Sequence, residues 1–174
     1  ADRVRRALAS GAALPAVLER SDDELRERAR RADRVDPRLA WLAARTPRWR
    51  SAGEKTLVFV EHRETLEWVR AELSRRVQVA TGVFHEELSP ARRDIEVARF
   101  RLSEGPSVLV STECGGEGRN FEFCHRLVLF DLPWNPLVVE QRVVVVDQFH
   151  ALAAGVDVEP LDRIRDLDVL AALA

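Results

Sequence analysis

The chain has 174 residues, 46% of them hydrophobic and 32% charged, which suits one α/β domain with a real core and is too short for two. No apolar run approaches the ~20 residues of a membrane helix, so we expect no membrane partner. The net charge of −2 hides an asymmetry, because residues 1–50 hold 13 Arg against 8 acidic residues. This basic half is interpreted as a solvated helical surface, with a nucleic-acid patch as the alternative.

The start of the chain and its cysteines carry further expectations. Because it begins at Ala1 without methionine or a signal peptide, we expect an excised fragment. Cys114 and Cys124 lack a CxxC spacing, so burial as small apolar residues is expected rather than a disulfide. The four histidines are scattered without a metal-ligand spacing, and we expect no metal.

The first part of the chain is predicted to be helical. Residues 21–24 form a capping-box pattern that opens an Arg- and Glu-rich helix. Asp36 and Pro37 open another helix, because proline suits the first helical turn. Residues 46–54 are predicted to be a connector. We therefore divide the chain into a helical lead-in, 1–50, and an α/β domain, 51–174.

In the second part, short apolar runs alternate with amphipathic segments. The runs are rich in β-branched and aromatic residues, as buried strands are. Strands are predicted at 57–62, 77–84, 108–111 and 127–132. Helices are predicted at 64–75 and 90–102, the second with Ile95, Val97 and Phe100 available to the core. This alternation implies βαβ units and hence a mainly parallel sheet.

Ligands of parallel α/β sheets bind at the carboxyl ends of the strands. Three predicted turns lie there, at residues 61–63, 112–120 and 131–136. The middle turn, TECGGEGRN, holds three glycines in four positions, and glycine lets backbone N–H groups approach a phosphate closely. Glycines alone also fit a tight strand-to-helix turn. The polar residues around them and the downstream DLPWNP make the combination specific.

The order of these segments resembles the C-terminal RecA-like lobe of superfamily 2 SWI/SNF-type helicases and ATPases. LVFVEHRETLEWV resembles motif IV, and FHEELSPARRDIEVARF resembles the segment that follows it. VLVSTECGGEGRNFEFCHRLVLFDLPWNP resembles motifs V and Va, and VVEQR resembles the start of motif VI. Among that branch, bacterial RNA-polymerase-associated ATPases look most similar. The resemblance implies a RecA-like three-layer α/β domain.

The resemblance also implies half of a two-lobe motor. A first RecA-like lobe, missing here, would hold ATP and Mg²⁺, and this lobe would close over the phosphates. The residues expected to contact the nucleotide are Gly116, Glu117, Gly118, Arg119, Asn120, Gln141 and Arg142. Those expected to contact a DNA or RNA backbone are His62, Arg63, Thr112, Trp134 and Asn135. For His62 and Arg63 a capped strand end is the alternative, and for Trp134 it is packing at a helix start.

Motif VI departs from the family pattern. Val145 and Gln148 stand where the family carries its two arginine fingers. Since such a finger contributes ~10³–10⁵ in rate, no catalytic residue is assigned and hydrolysis is expected to be impaired. If residues 143–160 are an insertion, Arg163 and Arg165 are displaced fingers, with an amphipathic C-terminal helix as the alternative. Arg142 is a third candidate substitute. Four consecutive valines also favour strand over helix.

The sequence is therefore compatible with two functions. One is the second lobe of a nucleic-acid-dependent ATPase or translocase, and the other is a degenerate module that binds nucleic acid or protein without turnover. No GxxxxGK[ST] P-loop occurs, so we expect no ATPase activity and no cofactor for this chain alone. The expected partners are DNA or RNA, the first lobe, and RNA polymerase or another complex in the bacterial cytoplasm.

Overall fold

The computed structural model describes residues 2–19, 21–112, 121 and 123–131. Its helices are α1 (Asp2–Ala9), α2 (Asp23–Arg34), α3 (Pro37–Ser51), α4 (Arg63–Val77) and α5 (Pro90–Arg101), with a 3₁₀ turn at Leu14–Val17. Its strands are β1 (Thr56–Phe59), β2 (Thr81–Phe84), β3 (Val108–Ser111) and β4 (Arg126–Leu129).

The four strands form one parallel sheet in the order β2-β3-β1-β4. In this sheet Ser111 at the end of β3 aligns with Phe59 of β1 on one side and Phe84 of β2 on the other. The three strand ends therefore lie side by side. This confirms the predicted α/β class and the mainly parallel sheet.

Helices cover both faces of the sheet, which makes three layers. Helices α3 and α4 bury one face, in a cluster that includes Leu39, Leu42, Leu66, Val69, Leu73, Val58, Val110 and Val128. Helix α5 buries the other, in a cluster that includes Phe100, Leu57, Phe59, Phe84, Leu109, Phe121 and Cys124. Strands β1 and β3 are buried along their whole length because both faces are covered. Cys124 is a free, buried thiol as expected, whereas Cys114 lies outside the described residues.

Helix starts agree with the sequence in two places and disagree in one. The Asp36 carboxylate accepts hydrogen bonds from the amides of Arg38 and Leu39, and the Ser89 hydroxyl accepts one from Arg92. The predicted capping box at residues 21–24 is wrong. Helix α2 begins one residue later, with Asp22 at the cap position and no side-chain cap bond.

Two predicted boundaries are also wrong. Helix α3 continues through Pro47 to Ser51, into the predicted connector, because Thr46 and Trp49 are buried in it. Helix α4 continues to Val77 and ends at Gln78, whose φ is 51°, so the second strand begins at Thr81 and not at Val77. Ile95 is 48% exposed and does not join the core, whereas Phe100 does.

The N-terminal helices attach to α4 through polar contacts. The hydroxyls of Ser10 and Thr65 lie 2.7 Å apart in a buried hydrogen bond, and Arg6 pairs with Glu64 at 3.0 Å. These contacts fix the lead-in against the sheet's helical layer, while the division at residue 50 stays a prediction. Among the helices described, none is long and apolar enough for a membrane span.

Candidate functional site

Polar residues gather where β1, β2 and β3 end. His62 and Arg63 follow β1, His85, Glu86 and Glu87 follow β2, and Thr112 follows β3. We call these six residues the carboxyl-end cluster. The parallel register brings them together, because Phe84 aligns with Ser111 across β2 and β3. This is the edge at which parallel α/β sheets bind ligands.

Thr112 is the first residue of the predicted glycine-rich turn and is 3% exposed. Its amide donates to the Phe84 carbonyl at 3.0 Å, which extends the β2–β3 pairing by one residue. Its hydroxyl donates to the Glu86 carboxylate at 2.7 Å. Two strands thus hold the Thr112 backbone, and a carboxylate orients its side chain.

Glu86 is an anion at neutral pH. Its own backbone N–H, and after it the Thr112 hydroxyl, bond to the carboxylate and hold the pKa of Glu86 below its ordinary value. The turn that carries Glu86 is anchored by Arg93 of α5, whose guanidinium donates to the carbonyls of Glu86 at 2.6 Å and Leu88 at 2.9 Å. The position of this negative charge is therefore fixed by the fold.

Arg63 is the first residue of α4, and His62 is its N-cap without a side-chain cap bond. The Arg63 guanidinium forms an ion pair with Glu87. A cation at a helix N-terminus opposes the helix dipole, and the Glu87 carboxylate offsets this. His62 therefore stands at the cap position of α4, and its side chain takes no part in the cap.

Two imidazole nitrogens of the carboxyl-end cluster stand out. His62 Nε2 and His85 Nδ1 are buried, and neither has a hydrogen-bond partner within the described part of the chain. Buried polar atoms are normally paired, so each is an available donor or acceptor next to Thr112 and Arg63. No group of three or more His, Cys, Asp or Glu within the described residues is arranged to hold a metal ion.

The structure brings three predicted contact residues, His62, Arg63 and Thr112, to one edge of the sheet. Sequence reasoning missed Glu86 and Glu87, although their position directly after a predicted strand at the ligand-binding edge was a usable signal. The other predicted residues lie outside the described part of the chain, namely Gly116, Glu117, Gly118, Arg119, Asn120, Trp134, Asn135, Gln141, Arg142, Val145, Gln148, Arg163 and Arg165.

A known protein is similar in sequence to part of this chain. The RNA polymerase-associated protein RapA of Vibrio parahaemolyticus is 40% identical over 114 residues, which make up 65% of this chain. The matched region is 12% of that relative's length. The similarity therefore describes one domain within a much longer protein.

Solved structures share the fold. The C-terminal part of the Fun30 ATPase domain superposes with a TM-score of 0.57 at 18% identity, covering 67% of this chain and 36% of that one. The SWI2/SNF2 ATPase core domain of Sulfolobus solfataricus gives a TM-score of 0.54 at 18% identity, covering 65% and 24%. The helicase conserved C-terminal domain matches residues 38–144. The chain thus belongs to the helicase conserved C-terminal domain family and has the RecA-like fold of these solved structures.

Proposed function

We propose that this lobe contacts a nucleic-acid backbone through the carboxyl-end cluster and closes over ATP held by a first lobe. The observation that carries the proposal is the convergence of His62, Arg63 and Thr112 at one sheet edge in a helicase C-terminal domain. A guanidinium, a hydroxyl and two unpaired imidazole nitrogens suit phosphate oxygens. Such contacts do not depend on base sequence.

Binding of single-stranded oligothymidylate at several salt concentrations tests this contact. The logarithm of the affinity should fall linearly with the logarithm of salt concentration, with a slope of about −0.7 per phosphate neutralised. Replacing Arg63 by Gln should weaken binding and make that slope shallower by about 0.7. Arg70→Gln removes the same charge from the exposed face of α4 and is the matched control. Affinity that ignores salt, or an equal response of both variants, would contradict the proposal.

The nucleotide role rests on the sequence and the family. Gly116 to Asn120, with Gln141 and Arg142, are proposed to meet ATP and Mg²⁺ supplied by the first lobe. The RapA relative is named as RNA polymerase-associated, so RNA polymerase, in the bacterial cytoplasm, is the protein partner we propose. Co-purification of the full-length protein with RNA polymerase, compared at low and high salt, tests that partner.

A second function is favoured by the resemblance of this segment to motif VI. That resemblance puts Val145 and Gln148 at both arginine-finger positions, and neither side chain can stabilise charge on a transferred phosphoryl group. A lobe that binds without supporting turnover would fit this. Fusing a first lobe and comparing ATPase rates of the native sequence with Val145→Arg plus Gln148→Arg separates the two. A large gain identifies finger loss as the limit, and equal rates in a folded protein argue against it.

A further inference from the structure

We propose that Glu86 and Glu87 are positioning residues that occupy, in the nucleic-acid-free lobe, the places of two backbone phosphates. This rests on the proposed function and names what sets the affinity of that same site. Each carboxylate already contacts a residue that is expected to bind the nucleic-acid backbone. Thr112 donates to Glu86 at 2.7 Å, and Arg63 pairs with Glu87.

A carboxylate resembles a phosphate to both partners. It offers the same kind of charged oxygen acceptor to a hydroxyl or a guanidinium, and such charge-assisted bonds are stronger than neutral ones. A phosphate approaching Thr112 or Arg63 must therefore exchange with a carboxylate that is already in place. It also meets the negative charge of the displaced group.

The two carboxylates differ in how easily they can give way. Glu87 has a side chain that is 59% exposed, so it can turn into solvent at small cost. Glu86 is held from three directions, by its own N–H and by Thr112 at the carboxylate, and by Arg93 at the carbonyl. We infer that Arg63 exchanges Glu87 for a phosphate readily, whereas Thr112 exchanges Glu86 for a phosphate only at a higher cost.

The salt dependence of binding should report this exchange. In the native chain, Arg63 leaves Glu87 to neutralise a phosphate, and the exposed carboxylate then takes up a cation, which cancels part of the counterion release. Without the Glu87 charge, no cation is taken up. The slope of log affinity against log salt should then steepen towards the full ~0.7 of one extra phosphate.

Glu87→Gln in the 174-residue chain tests the proposal with a single-stranded 20-residue oligothymidylate. Affinity at low salt should rise by about two- to fivefold, the range of one exposed charge interaction, and the slope should steepen. Glu24→Gln breaks a Glu–Arg pair on α2 that is more exposed, away from the carboxyl-end cluster, and should change neither. Thermal unfolding of both variants checks that they are folded.

Glu86→Gln separates charge from hydrogen bonding, since the amide oxygen still accepts from Thr112. It should raise affinity because a nearby anion is removed. The native chain can bind in a salt-dependent way while Glu87→Gln and Glu86→Gln bind like Glu24→Gln. That result overturns the positioning role and leaves the proposed contact with the nucleic-acid backbone intact. If neither the native chain nor any variant binds, both proposals fail.

Discussion

The hydroxyl of Thr112 donates to the carboxylate of Glu86 across 26 residues of sequence, at 2.7 Å. The parallel pairing of β2 with β3 makes this contact, because it aligns Phe84 with Ser111 and leaves the next residues facing each other. Thr112, a predicted contact for the nucleic-acid backbone, is thus hydrogen-bonded to Glu86, an anion that the sequence patterns did not indicate. The bond links the stability of the sheet edge to the chemistry proposed there.

Removing that hydroxyl should destabilise the domain. Thr112→Val keeps the shape of the side chain but takes a bond from a partly buried carboxylate, at a cost of about 1–3 kcal/mol. Thr112→Ser keeps the hydroxyl and should cost less than Val. Urea unfolding at pH 7 measures both. Equal stability of the Val variant and the native chain would show that Glu86 finds a replacement partner.

The only lysine of the chain, Lys55, is a structural cation. The residue is 7% exposed, and its ammonium donates to the carbonyls of Leu102 at 2.6 Å, Pro106 at 3.0 Å and Gly105 at 3.4 Å. Lys55→Met should leave those carbonyls unpaired and lower the free energy of unfolding by about 2–4 kcal/mol. Arg70→Met on exposed α4 is the control, and its cost in the same urea titration should stay near zero.

Two aspartates at helix starts give a matched comparison. Asp36 accepts from the amides of Arg38 and Leu39 at the start of α3, whereas Asp22 makes no side-chain cap bond at the start of α2. Asp36→Ala should therefore cost about 1–2 kcal/mol of stability and Asp22→Ala distinctly less. Thermal unfolding of the two variants ranks them. The reverse order would mean that α2, not α3, depends on its cap.

Burial raises the pKa of Asp33 to about 6 from its ordinary value of 3.8, although the amide of Gly11 donates to its carboxylate at 2.6 Å. The folded state therefore holds the proton more tightly than the unfolded state. Its contribution to stability is full below pH 3.8 and is lost as pH rises through about 6.

Asp33→Asn removes this titration while keeping an oxygen for Gly11. The variant should match the native chain near pH 4 and exceed its stability at pH 7.5 by about 1–2 kcal/mol, less than the full shift because the group is partly exposed. Urea unfolding at both pH values measures the difference. An Asn variant less stable than the native chain at pH 7.5 would contradict the assignment.

Much of the fold was readable because local chemistry and tertiary structure agree. Val108–Ser111 is the predicted third strand to the residue, since a short β-branched run buried on both faces has few alternatives. Asp36 before Pro37 marks the start of α3, because a carboxylate suits the cap position and proline suits the first helical turn. Boundaries failed where packing overrode local signals, as when the burial of Trp49 carried α3 past Pro47.

The sequence by itself determined the class of domain and the family, and it predicted the edge of the sheet where ligands bind, because periodicity, turn residues and motif order are local and follow the chain. Tertiary structure alone decided which charges meet at that edge. Glu86 and Glu87 lie far in sequence from Thr112 and Arg63, and the parallel register, together with the Arg93 anchor, brings them into contact. Such pairings depend on distances in space, which no local pattern encodes.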